Sequence, residues 1–397
     1  MPGTVLALNA GSSSIKFALA EIRPDASAAV IANGEIEGIG TAPHFAAKDA
    51  LGAIIGERRW EPSAGADHEA LLGGLLEWVD GHLGPDTLVA AGHRVVHGGR
   101  DFIQPVRIDQ SVLTALAALT PLAPLHQPHS LSPVRAIMTL RPSLPQVACF
   151  DTAFHHTMSP VATRFALPRA YEDEGVRRYG FHGLSYEYIA GALRETAPVL
   201  AAGKVIVAHL GNGASLCAMA SGRSVDTTMG FTALDGLVMG TRCGALDPGV
   251  ILYMLQQKRL DPSEIEEALY QRSGLLGVSG ISSDMRQLLG RTEQHAREAV
   301  ELFVFRIARE TAALAGTLGG LDAFVFTAGI GEHAAEIRAA VCERLAWLGV
   351  SLDREANDRC DGRISGADSR VEVRVIPTNE ENMIVRHTIE TLGLKAA

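Results

Sequence analysis

The sequence predicts an α/β protein built from two related domains. Three observations carry this. A length of 397 residues exceeds one ordinary core. Short β-rich apolar runs alternate with stretches of helical periodicity along the whole chain. A strand–glycine turn–strand pattern also occurs twice, roughly 200 residues apart, which suggests a duplicated fold.

Residues 5–8 form a short apolar run of strand character. The turn Asn9-Ala10-Gly11-Ser12-Ser13-Ser14 follows, and then a second strand over 15–20. Apolar spacing places a helix over 111–119. The proline-rich segment 121–145 marks chain near a domain cleft. The first pattern returns with a strand over 205–210, the turn Gly211-Asn212-Gly213 and a strand over 215–220. Helices are expected over 262–270, 298–318 and 334–348. Residues 323–327 read as a strand feeding the turn Gly329-Ile330-Gly331.

With 47% apolar and 20% charged residues the chain is a folded globular protein rather than a disordered one. A net charge of −10 repels polyanions and argues against nucleic-acid binding, so any positive charge that holds an anionic substrate must be local. The five cysteines, Cys149, Cys217, Cys243, Cys342 and Cys360, form no Cys-x-x-Cys pair. That argues against a zinc site or a disulfide framework and for a reducing compartment. The start MPGTVLALNAGSSS lacks a basic segment leading into a long apolar run, and no stretch of about 18 apolar residues occurs. No membrane association and a cytoplasmic location are therefore expected.

Five segments hold candidate chemistry. The turn at 9–14 offers small residues whose backbone N–H groups can approach an anion, with Lys16 beside it, or else it is a plain hairpin turn. It is no Walker A loop, since GxxxxGK[ST] is absent. Arg94, within His93-Arg94-Val95-Val96-His97, sits at the end of an apolar run, where a guanidinium needs a carboxylate or phosphate. An internal ion pair would also satisfy it. Asp151 in Cys149-Phe150-Asp151-Thr152 is either a helix cap or a catalytic carboxylate. His182, His209, Asn212 and Arg242 each stand among glycines. The strand followed by GxGxxA at 329–334 resembles a dinucleotide fingerprint, with Asp353 as a ribose-binding acid. A nucleotide-binding turn of another fold explains that segment equally.

Taken in order, LALNAGSSSIKF, GHRVVHGG, PLAPLH, FDTAFH, RYGFHG, AHLGNGASLCA, DTTMGFTALDGLVMGTR, GISSDMR, FTAGIGE and IPTNEE resemble the acetate kinase family. That family belongs to the acetate and sugar kinase/Hsp70/actin superfamily. The resemblance implies two duplicated domains of the actin-like ATPase (ribonuclease H-like) type with an active-site cleft between them. The domains would comprise 1–150 plus 382–397, and a nucleotide-binding domain over 151–381. The implied reaction is reversible phosphoryl transfer between ATP and acetate, giving acetyl phosphate and ADP, with propionate as the alternative acid.

The resemblance also implies the site. Asn9 and Glu380 would place Mg²⁺, or Mn²⁺ in its stead. Lys16 and the turn His209-Leu210-Gly211-Asn212-Gly213 would contact the phosphates of ATP. Asp284, Met285 and Arg286, with Gly329, Ile330, Gly331, Glu332 and His333, would hold the nucleotide. Arg94 matches the carboxylate-binding arginine and Asp151 the catalytic acid. His182 and Arg242 match the groups that stabilise the moving phosphoryl. Val96, Leu125 and Phe181 would line a small acyl pocket. Ala233 stands where the family usually has proline, Leu184 and Tyr186 where it has threonine and histidine, and Gln127 where it has asparagine. A homodimer is the family expectation.

Overall fold

The structure, a computed structural model, describes residues 3–11, 14–25, 27–60, 68–83 and 88–395. Ser12 and Ser13 of the first glycine turn lie outside the described residues. The chain divides into two compact units, Met1–Ala153 with Asn379–Ala397, and Phe154–Thr378.

The first unit holds strands β1 (Thr4–Ala10), β2 (Ser14–Ile22), β3 (Ala28–Glu37), β4 (His44–Asp49), β5 (Ile54–Arg59), β6 (Leu88–Val95), β7 (Val106–Arg107) and β8 (Gln146–Phe150). They form one sheet in the order β5-β4-β3-β2-β1-β6-β8-β7. From β1 to β5 the strands are antiparallel neighbours, while β1, β6 and β8 run parallel. Leu6, Leu8 and Phe17 pack with Leu75 and Val79 of the helix His68–Leu83 and Ile137 of the helix Gln127–Leu140. That second helix lies inside the proline-rich segment and contains Pro133. The hydrogen bond lost there is offset by burial of Leu131, Val134, Ala136 and Ile137.

The helix Glu380–Leu392 packs on β1, β6 and β8, burying Met383, Ile384, Val385 and Ile389. Gly92 on β6 explains how closely it packs. A Cβ there would collide with Thr388 Oγ1 and stand 2.6 Å from Ile384 Cγ2. This close approach sets Glu380, the first residue of the helix, next to the end of β6.

The second unit holds β9 (Lys204–Leu210), β10 (Ala214–Ala220), β11 (Arg223–Thr227), β12 (Ala323–Thr327) and β13 (Glu372–Val375), in the order β11-β10-β9-β12-β13. Here too an antiparallel meander, of three strands rather than five, continues into parallel strands. The order matches β3-β2-β1-β6-β8 of the first sheet strand for strand, so the duplication extends well beyond the two glycine turns. Tyr186, Ile189 and Leu193 of the helix Gly183–Thr196 bury against Val205, Val207, Cys217 and Val325 of this sheet.

The expected boundaries at 150/151 and 381/382 fall instead at 153/154 and 378/379. The backbone N–H of Asp151 donates to Val95 O, tying it to β6, and Asn379 caps the helix that carries Glu380. Asp151 and Glu380 thus both belong to the first unit. Among the described residues no helix is long and apolar enough to cross a membrane.

Candidate active site

Because β1, β6 and β8 are parallel neighbours, their C-terminal ends share one edge of the first sheet, the edge where α/β sheets bind ligands. Asn9, Arg94 and Asp151 stand there. Arg94 Nε donates to Asp151 Oδ1 at 3.0 Å and Oδ2 at 2.9 Å, and Nη2 donates to the same carboxylate. Arg94 Nη1 donates to Asn9 Oδ1 at 3.0 Å. Asn9 Nδ2 in turn donates to Glu380 Oε2 at 3.1 Å. The internal ion pair is therefore made. Yet a guanidinium has five N–H groups, and one on each terminal nitrogen has no partner among the described residues.

Burial disfavours the charge on Arg94, but the carboxylates of Asp151, Glu380 and Glu381 more than reverse this and hold the group above its usual value. Burial pushes the Glu380 carboxyl up, and Glu381 adds to that, against the opposing pull of Arg94 and Lys16. Lys16 lies on β2 directly across from Asn9. The cluster thus carries oxygen donors and more negative than positive charge. Such a set fits Mg²⁺ or Mn²⁺, hard cations held by one or two carboxylates together with water and phosphate oxygens. Among the described residues no group of three or more His, Cys, Asp or Glu is built to cage a metal alone.

In the second unit the turn between β9 and β10 is closed by Gly211 N donating to Gly213 O at 3.0 Å. Gly240 N donates to Asn212 O at 2.9 Å. A Cβ on Gly213 would stand 2.9 Å from Arg242 Nη2 and 3.3 Å from His182 Nε2, and one on Gly240 would strike Asn212 Oδ1. The glycines let a guanidinium and an imidazole come up against the turn. Arg242 is fixed by Nη1 donating to Ala233 O at 2.7 Å. The ring of His182 stacks on His209 with centroids 4.1 Å apart, and His209 Nδ1 lies 2.9 Å from Ser185 Oγ.

A cavity of about 850 Å³ adjoins this turn, the size of a pocket for a nucleotide. Gly211, Asn212, Asp284, Met285, Arg286, Gly329, Ile330 and His333 line it, as do Ser283, Glu336 and Asp358, which sequence reasoning missed. His209, Leu210, Gly213, Gly331 and Glu332 are not among its lining residues. Gly331 O accepts from the buried Arg338, and Glu332 Oε1 accepts from the backbone N–H groups of Ala328 and Thr378. These two residues brace the turn.

The expected loop at 329–331 is instead the first turn of a helix, Ala328–His333. Ala328 takes a left-handed φ of 64°, which reverses the chain directly out of β12, so the glycines fall within the helix. The dinucleotide reading is excluded by the same geometry. Asp353 caps the helix Arg354–Asp358, and this sheet has three parallel strands rather than a doubly wound set.

Of the acyl-pocket residues, Val96 is buried and Leu125 half-buried in the first unit, and Phe181 is buried in the second. Gln127 is a clamp. Its Oε1 accepts from His97 N, and its Nε2 donates to His97 O and Leu116 O. That fixes the backbone following Val96, and nothing in the local sequence signals it.

Three buried histidines are structural. Burial pushes His93, His97 and His155 down to about 4 each. They are neutral in the fold at pH 7, whereas unfolded histidines protonate near about 6.5. As pH falls from there towards 4, the unfolded chain takes up protons that the fold refuses. Stability is lost in that window, by up to about 1.4 kcal/mol per pH unit for each histidine. Urea midpoints should fall steadily between pH 6.5 and 4, and His155→Gln should flatten that slope. A midpoint independent of pH in this range would refute the assignment.

A model of the acetokinase family matches residues 4–386. The chain is 56% identical over 393 residues to the acetate kinase of Rhodopseudomonas palustris, covering 98% of both chains. It is 51% identical over 403 residues to that of Methylocella silvestris, covering all of both. The crystal structure of a propionate kinase from Francisella tularensis aligns with a TM-score of 0.91 at 37% identity, over 98% of this chain and 99% of the other. Acetate kinase from Porphyromonas gingivalis aligns with a TM-score of 0.85 at 35% identity, over 98% and 100%. The fold is thus of the actin-like ATPase type.

Proposed function

The chain belongs to the acetokinase family, and from that premise we propose that it is a kinase that moves a phosphoryl group reversibly between ATP and acetate, giving acetyl phosphate and ADP. The observation that carries the reading is Arg94. It is a half-buried, carboxylate-anchored guanidinium at the strand edge, still presenting N–H groups to a further oxygen.

A carboxylic acid with a pKa near about 4.3 is ionised at pH 7 and needs no base to become a nucleophile. Asp151, locked onto Arg94, therefore orients and balances the arginine that receives the acid. The physical difficulty is bringing one anion up to another. Arg94 neutralises the carboxylate, while Arg242 and His182 donate to the oxygens of the moving phosphoryl. Asn9 and Glu380 would help to hold Mg²⁺, or Mn²⁺, which when bound neutralises charge on the nucleotide phosphates. Lys16 and the backbone of the 209–213 turn act on those phosphates, and the cavity lined by Asp284, Met285, Arg286, Gly329, Ile330 and His333 takes the rest of the nucleotide. Gly331 and Glu332 support that cavity from behind.

A cytoplasmic homodimer belongs to the same reading. The helix Pro248–Gln256 buries none of its residues and exposes Val250, Leu252, Tyr253 and Leu255, a face suited to a second copy.

Ala233, in place of the family's usual proline, leaves propionate open as a second acid, while Val96 argues for the shorter one. Hydroxylamine trapping with ATP, Mg²⁺ and a C2–C4 acid series tests both. The largest kcat/KM is expected for acetate, then propionate. No hydroxamate with any acid would overturn the function.

A further inference from the structure

Tyr186 and Ser215 take no part in the site described above, yet both are fully buried, and Ser215 contacts His182 directly. Ser215 Oγ lies 2.8 Å from His182 Nδ1 and 2.5 Å from the Tyr186 hydroxyl. Among the described residues the Tyr186 hydroxyl has no other hydrogen-bond partner. Burial pushes its phenol well above the usual value, so it is neutral and carries one proton to place.

Counting protons along this chain leaves one arrangement without a stranded donor. If Tyr186 donates to Ser215, the Ser215 proton is satisfied only by donating to His182 Nδ1, which is then an acceptor with the ring proton on Nε2; were Nδ1–H to donate to Ser215 as well, the serine's own proton would be the stranded one. The reverse order, with Nδ1–H donating to Ser215 and Ser215 to Tyr186, buries the phenol proton with nothing to accept it. Such an orphan costs about 1–3 kcal/mol, or roughly a 5- to 150-fold bias against that order. Nε2 is the nitrogen that reaches the glycine turn, 3.3 Å from the Cβ position of Gly213. His182 takes a left-handed φ of 59°, a conformation uncommon in non-glycine residues, at the N-cap of the helix Gly183–Thr196.

We propose that Tyr186, acting through Ser215, is a positioning residue that fixes His182 as the neutral tautomer with its proton on Nε2, aimed as a donor at the transferring phosphoryl. This rests on the role given to His182 above. The tautomer itself, however, is read without substrate.

The test is ¹⁵N NMR of the histidine rings in the full chain at pH 7, with the His182 signals assigned by their loss in His182→Gln. The expected spectrum has an unprotonated Nδ1 and a protonated Nε2. In Tyr186→Phe the preference should relax towards a mixture, and kcat should fall about 10–100-fold with KM for ATP and acid nearly unchanged, the scale typical of losing an outer partner that orients a histidine. Ser215→Ala should reproduce that loss, and the double variant should add little to it. A wild-type proton on Nδ1 overturns the proposal, and so does a Tyr186→Phe protein with unchanged kcat. If Tyr186→Phe does not fold, the wild-type spectrum and Ser215→Ala decide in the same terms. Absence of any kinase activity would sink the function while leaving the spectrum to judge the tautomer.

Discussion

Arg242→Ala lowers kcat by about 10³–10⁵-fold with only a modest change in either KM. The size follows from where the charge is needed. As the phosphoryl leaves one anion for another, negative charge spreads over its equatorial oxygens, and a guanidinium aimed there stabilises the transition state more than either ground state. Arg242 is already placed for this, since Nη1 is tied to Ala233 O and Nη2 lies against the turn at Gly213. No ordering cost remains to be met during the reaction. Lysine should restore little, because it cannot hold the Ala233 carbonyl and present a second donor in the same plane. Initial rates under saturating ATP and acid give the answer, and a fall of less than tenfold would reject the assignment.

How much of this was readable beforehand depends on the range of the interactions involved. The paired patterns of β1–turn–β2 and β9–turn–β10 are local, and alternation with a glycine break is enough to see them. The parallel partners β6 and β8, or β12 and β13, are separated by long excursions, so the full correspondence of the sheets needs three dimensions. The helix at Gln294–Leu318 begins a turn earlier than the expected start at 298, because its first turn is polar and gives no apolar spacing. In the site, Arg94 and Asp151 each looked ambiguous because the answer to one is the other, 57 residues away. The GxGxxA segment misled for a local reason, since a left-handed alanine at 328 does the turning that glycines usually signal. Ser215 acts only through tertiary contacts and looks like an ordinary strand residue in sequence, while Tyr186 and Gln127 stand out there only as departures from the family pattern, with no sign of what they touch.

Arg94→Ala should raise KM for the carboxylate far more than KM for ATP, because the lost N–H groups serve the acid. A second effect accompanies it and separates this arginine from a surface one. Asp151 is 1% exposed and is ion-paired with Arg94. Deleting the guanidinium leaves that carboxylate buried beside Glu380, at a cost of about 3–5 kcal/mol in stability. The two effects can be told apart. Arg94→Ala with Asp151→Ala removes the orphaned charge, so the double variant should recover much of the lost stability by urea denaturation. It should not recover the KM for acetate. If the single variant is as stable as wild type, the ion pair is not the buried anchor seen at the end of β6. If KM for ATP and for acetate rise together, Arg94 does not discriminate between the two anions, and the carboxylate needs another host.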